Sequence, residues 1–249
     1  NVLPASAGAM PRQVAFGAGS DLVSIDHLGV ENVEIRTLGG GDRVAVRRIA
    51  VPHLLQVGEG DDEVAVGTQA GVGFTTTTWP NTGGRLDDID AGLVVDGGSG
   101  LDFLTVDDTA DTDNNTGELT SSTLAGLDMA AAGITYTTFE SLAIALGSGN
   151  DTFTVHSTHP GAFRPTSLRT NNGDDTVIVR TIGGPLSVDT GADSDTVRVS
   201  STSTGTGGVL TGITSQLALV GSSGSGDRLF VDDTATTSDV IGVVTDTTI

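Results

Sequence analysis

Apolar residues recur at every second position in short bursts along this chain. Examples are Val33-Glu-Ile35, Val44-Ala-Val46, Leu55-Gln-Val57, Val64-Ala-Val66, Leu142-Ala-Ile144-Ala-Leu146 and Leu186-Ser-Val188. Alternation of this kind marks a strand with one buried face. Glycine, aspartate, asparagine and serine fill the gaps between bursts, and these are turn residues. Helical spacing is weak. The one helix-tolerant stretch is Leu124 to Gly133, which contains Ala130-Ala-Ala132.

The bursts follow a recurring turn: glycines, an aspartate, then apolar residues two and four positions later. Eight copies occur, with their aspartates at Asp21, Asp42, Asp62, Asp102, Asp151, Asp175, Asp195 and Asp227. The spacing of the first four is echoed by the last four. Flanking segments repeat too. Leu104-Thr-Val-Asp-Asp-Thr-Ala110 returns as Leu229-Phe-Val-Asp-Asp-Thr-Ala235, and Gly83-Gly-Arg-Leu86 returns as Gly207-Gly-Val-Leu210. The chain therefore reads as a tandem duplication of a module of roughly 125 residues. Module 1 spans 1–124 and carries an insertion near 75–82; module 2 spans 125–249. Val244-Thr-Asp-Thr-Thr-Ile249 matches Leu119-Thr-Ser-Ser-Thr-Leu124, so the pattern reads as running on into a longer array or another subunit.

Strand, motif turn, strand and second turn make a unit of roughly 20–24 residues, too short to bury its own apolar face. Stacked units can bury it. The expected fold is all-β: a parallel β-solenoid, read as a right-handed β-helix, with about 11 or 12 rungs in two tandem modules. Val44, Val64, Leu104, Phe153, Val177, Val197 and Leu229 are its expected core ladder. The alternative is a pair of β-sandwich modules, which also use short strands at regular intervals.

Composition narrows the function. The formal charge is −21, all 11 basic residues are arginine, and there is no cysteine. Nucleic-acid binding is excluded, because phosphate contacts need clustered Lys and Arg. No apolar run is long enough to span a membrane. A disulfide framework is impossible. Aspartate outnumbers glutamate by 26 to 6, so the acid is concentrated in turns rather than spread over a surface.

In-register stacking would set each motif aspartate roughly 4.8 Å from the next. Two carboxylates at that distance repel by about 1 kcal/mol in water and about 3–4 kcal/mol at an effective dielectric near 20. A hard divalent cation would reverse that sign, and carboxylate with carbonyl oxygen is what Ca²⁺ prefers. Asp bonding within its own turn, without metal, is the competing expectation.

Gly97-Gly-Ser-Gly-Leu-Asp102-Phe-Leu104-Thr matches the nonapeptide G-G-x-G-x-D-x-U-x throughout. Gly58-Glu-Gly-Asp-Asp62-Glu-Val64 and Gly147-Ser-Gly-Asn-Asp151-Thr-Phe153 match it except at the first glycine. The chain thus resembles the haemolysin-type (RTX) calcium-binding repeat family. The resemblance implies Ca²⁺ as cofactor, with Asp62, Asp102 and Asp151 as leading ligands and Asp21, Asp175 and Asp195 as further ones. It also implies a secreted or cell-surface bacterial protein. The chain departs from the family in carrying the motif about once per rung, where the family repeats it in tandem.

Other chemistry is thin. No nucleophile elbow or phosphate loop is present. Arg43 and Arg228 each follow a motif aspartate, which suits charge neutralisation better than the base of a polysaccharide lyase. Trp79, the sole tryptophan, sits in the module 1 insertion and is the candidate recognition loop, with a surface glycan as a possible partner. Outward threonines at Thr152, Thr154, Thr176 and Thr196 raise an ice-binding alternative. The leading expectation is a non-enzymatic structural segment: a stalk, adhesin or filament subunit that associates with itself end to end.

Overall fold

The computed structural model describes residues 12–16, 23–27, 29–72, 81–203 and 205–237. Its strands, in chain order, begin with β1 (Arg12–Phe16), β2 (Val23–His27), β3 (Val33–Arg36), β4 (Arg43–Val46), β5 (His53–Gln56) and β6 (Glu63–Val66). They continue with β7 (Leu93–Asp96), β8 (Phe103–Asp107), β9 (Thr116–Leu119), β10 (Thr123–Gly126), β11 (Ile134–Thr137), β12 (Ser141–Ala145) and β13 (Thr152–Val155). The last are β14 (Thr166–Arg169), β15 (Thr176–Val179), β16 (Leu186–Asp189), β17 (Thr196–Val199), β18 (Leu217–Val220) and β19 (Arg228–Val231). No helix occurs among the described residues, and none is therefore long and apolar enough to cross a membrane. The helix-tolerant stretch from Leu124 to Gly133 is the end of β10 and a turn.

Two sheets hold these strands. The first has nine, in the order β18-β16-β14-β12-β8-β6-β4-β1-β2; the second has ten, in the order β19-β17-β15-β13-β9-β10-β11-β7-β5-β3. From β3 to β8, and again from β11 to β19, successive strands alternate between the sheets and each lies parallel to its neighbours in the preceding and following turns of the chain. This is the stacking of a parallel β-solenoid. It overturns the sandwich alternative, whose sheets would be antiparallel. The exceptions are β1 and β2, which pair antiparallel to each other and to β4, and β10, which runs antiparallel between β9 and β11.

Alternation in sequence becomes layering in space. Val44, Val64 and Leu104 lie in register on the first sheet, while Phe153, Val177, Val197 and Leu229 lie in register on the second. The single expected core ladder is thus two. Most of these side chains are fully buried in one apolar cluster that runs from Val44 to Val199. Each such burial stabilises the fold by about 1.5–3 kcal/mol before entropy is counted.

The split has a visible cause. Strands β9, β10 and β11 are consecutive in sequence and all belong to the second sheet. Before them, a motif turn leads from the second sheet to the first; after them, it leads from the first sheet to the second. The boundary expected near residue 124 falls within β10. Motif turns of the two halves therefore lie along opposite flanks of the solenoid.

Candidate functional site

Along each flank the motif turns stack closely. The Leu38 carbonyl accepts from the Glu59 N–H at 2.8 Å, and the Gly58 carbonyl accepts from the Ser99 N–H at 2.9 Å. Isolated parallel bridges join Gly39 to Glu59 and Glu59 to Ser99. Gly58 and Gly98 have φ of 101° and 91°, and a Cβ on either would overlap the carbonyl of the turn beside it. The motif glycines are therefore needed for turn-on-turn contact, whatever the aspartates bind.

The aspartates form two hydrogen-bonded rows. On one flank the Asp42 N–H donates to Asp62 Oδ1 at 2.7 Å, the Asp62 N–H to Asp102 Oδ1 at 2.9 Å, and the Asp102 N–H to Glu140 Oε2 at 3.0 Å. On the other, the Asn115 N–H donates to Asp151 Oδ1 at 2.8 Å and the Asp151 N–H to Asp175 Oδ1 at 2.8 Å. That row continues from the Asp175 N–H to Asp195 Oδ1 at 2.9 Å and from the Asp195 N–H to Asp227 Oδ1 at 3.0 Å. The carboxylates of Asp62, Asp102, Asp151, Asp175, Asp195 and Asp227 thus each cap the backbone of the row residue one rung back. The bond runs between rungs, where an Asx-turn would close within one.

Of the sequence-derived candidates, Asp62 and Asp102 share one row, and Asp151, Asp175 and Asp195 share the other. Asp21 and Trp79 lie outside the described residues. Glu140 and Asn115 fill row positions without a glycine motif before them, which is why the motif did not find them.

Both rows are dry. Asp62, Asp102, Asp151, Asp175 and Asp195 are all 3% exposed or less. Burial pushes every one of these carboxyls above its ordinary value, Asp102 to about 6 and Asp175 to about 7. Hydrogen bonds pull in the opposite direction and do not win: the Asp62 N–H at Asp102, and Thr170 followed by the Asp151 N–H at Asp175. The second oxygen of Asp62 and of Asp102 is buried without a hydrogen-bond partner, whereas Asp175 and Asp195 lie beside the hydroxyls of Thr170 and Thr190.

That arrangement bears on the calcium expectation. One carboxylate oxygen per rung is already taken by an N–H, and one is left. Among the described residues, no group of three or more His, Asp or Glu side chains converges closely enough to hold a metal ion. Ca²⁺ takes six to eight oxygens. Among the described residues, side chains alone therefore supply too few oxygens for a calcium cage.

A second set of carboxylates repeats with the modules. Asp107 Oδ2 accepts the Gly84 N–H at 2.6 Å, Asp107 Oδ1 accepts the Thr109 hydroxyl at 2.7 Å, and Asp108 Oδ1 accepts the Leu86 N–H at 2.9 Å. In module 2, Asp232 Oδ2 accepts Gly208 N–H at 2.9 Å, Asp232 Oδ1 accepts the Thr234 hydroxyl at 2.6 Å, and Asp233 Oδ1 accepts Leu210 N–H at 3.0 Å. These pairs tie the long turn after the third motif strand to the following rung. The repeated Asp-Asp-Thr segments were the sequence signal for them. Burial pushes Asp108 up to about 7, whereas hydrogen bonds from Thr234 hold Asp232 below the ordinary range.

Several of the remaining charged groups are paired. Arg43 and Glu63 face each other on adjacent rungs at 3.3 Å, and the Arg198 guanidinium lies 4.7 Å from the centre of the Phe230 ring. His156 faces Glu118 at 3.5 Å, while His159 faces Arg164 at 3.3 Å. Outward-facing Thr116, Thr152, Thr176 and Thr196 lie in one register row; the adjacent row is mixed, with Glu118, Thr154, Ile178 and Arg198. The arrangement fixes rung register. No family model matches the chain, and comparisons with curated proteins and with solved structures give no match either.

Proposed function

We propose that this chain is a non-enzymatic structural segment: a solenoid module pair of an extracellular repeat protein, serving as stalk, adhesin or filament subunit and stacking end to end. The observation that carries this reading is the pair of aspartate rows. Their buried carboxylates hold one rung to the next. In an enzyme, buried carboxylates with raised pKa values converge on a space for substrate. Here they are strung along two flanks. Location outside the cell rests on the resemblance of the turn motif to secreted repeat proteins.

Light scattering after size-exclusion chromatography tests the association, with mass expected to rise with protein concentration. A strict monomer at every concentration in native salt sinks it.

Contact with ice or a surface glycan is a second reading, favoured by the four-threonine register row. It ranks below the first because the adjacent row is interrupted. Thermal hysteresis and glycan-array binding are the measurements that would raise it.

A further inference from the structure

The last described rung, β18 and β19, exposes side chains that belong to a core. Leu229 and Val231 are 42% and 57% exposed. Their equivalents in module 1, Leu104 and Val106, are 1% and 2% exposed. The sequences correspond residue by residue through Leu104–Ala110 and Leu229–Ala235, so the difference lies in what covers each rung.

In module 1 the cover is known. Strand β11 lies parallel on β7, and β12 lies parallel on β8. These strands bring Ile134, Tyr136, Leu142 and Ile144 into the core. The same rung supplies Glu140, whose carboxylate accepts the Asp102 N–H at the end of the aspartate row. Among the described residues, strands β18 and β19 are the final members of their sheets, and Asp227 is the last residue of its row. By sequence correspondence Ile249 is equivalent to Leu124. Positions equivalent to Ile134–Ala145 therefore fall beyond Ile249, and residues 238–249 correspond to 113–124, which do not include the covering strands.

We propose that the β18–β19 rung is a docking surface for the opening rung of a further module of this same repeat: two parallel strands of the β11–β12 kind, with a carboxylate just before the second. The inference rests on the end-to-end reading above and specifies its chemistry. The partner's two strands continue both sheets, its alternating apolar residues cover Leu217, Leu219, Leu229 and Val231, and its carboxylate extends the aspartate row at Asp227.

The test appends a copy of Ala125–Leu146 after Ile249, which continues the repeat in phase. Backbone hydrogen exchange is followed at 217–220 and 228–231. Exchange there is expected to slow by at least about ten-fold in the extended chain. A control extension carries Leu142→Asp and Ile144→Asp in the appended copy and is expected to give no slowing. Unchanged exchange with the native extension overturns the proposal, as does equal slowing with the control. Should an extended chain lose its β circular dichroism, a synthetic peptide of residues 132–146 added to the unmodified chain gives the same two outcomes. Light scattering on the unmodified chain separates the two readings. A strict monomer with a protecting extension sinks end-to-end association alone, and oligomers with unchanged exchange sink this docking surface alone.

Discussion

The backbone N–H of Asp175 donates to Asp195 Oδ1 across 2.9 Å, from one rung of the solenoid to the next. This single bond states what the motif aspartate does. Its position in the turn is fixed by glycines that allow close stacking, and its carboxylate satisfies a buried donor that the strand ladder leaves unpaired. Removing it leaves that donor buried, at a cost of about 1–3 kcal/mol.

Asp195→Ala is therefore expected to lower stability by about 1–3 kcal/mol in urea denaturation. Asp195→Asn keeps an accepting oxygen and removes a buried charge, so it is expected to be neutral or stabilising. Asn115 already heads the same row, although its own side chain turns to Asp111. Equal losses for Ala and Asn would show that charge, rather than the accepting oxygen, is what the site requires.

The pH dependence has a definite sign. Asp102, Asp108 and Asp175 have folded values of about 6, 7 and 7 against an ordinary 3.8. A raised carboxyl binds its proton more tightly in the folded state, so its contribution is fully present below about 3.8 and is lost as pH rises through the folded value. Urea midpoints are expected to be higher at pH 5 than at pH 8. A midpoint that rises between those values contradicts the dry, partly protonated rows.

Gly98→Ala should be severe. The residue has φ of 91° and its added Cβ would overlap the Gly58 carbonyl. Gly83→Ala has a similar φ of 77° but meets open space. Positive φ alone costs about 1–2 kcal/mol, which is the expectation for Gly83→Ala. Gly98→Ala is expected to exceed it clearly in thermal denaturation, and equal effects would remove the case for tight turn stacking.

Metal removal discriminates the aspartate rows from calcium sites. The thermal midpoint is expected to be the same in EDTA and in millimolar calcium, because each row is closed by N–H donors. A rise of several degrees with calcium would support the cation reading of Asp62, Asp102, Asp151, Asp175 and Asp195.

The period of the chain was legible because alternation and turn chemistry agree at every motif. Val44, Val64 and Leu104 could be placed in one ladder before any coordinates, and the aspartates at 62 and 102 could be placed together. What was not legible is that Phe153 begins a ladder on the other sheet. Both sheets use the same alternation, and Thr116–Leu119, Thr123–Gly126 and Ile134–Thr137 carry no mark saying that all three stay in one sheet. The bonding of the aspartates was also hidden. A carboxylate that caps the next rung and one that binds a cation need the same residue at the same place in the turn.

The consequence of that three-strand interlude reaches beyond packing. The long turns tied down by Asp107 and Asp232 connect β6 to β7 and β17 to β18, and so leave the solenoid from opposite flanks. A series of such modules would set these loops out alternately, left and right, like leaves along a stem. Whatever the loops meet would be met on both sides of the shaft, and a shaft lying flat against a surface would still present half of them outward.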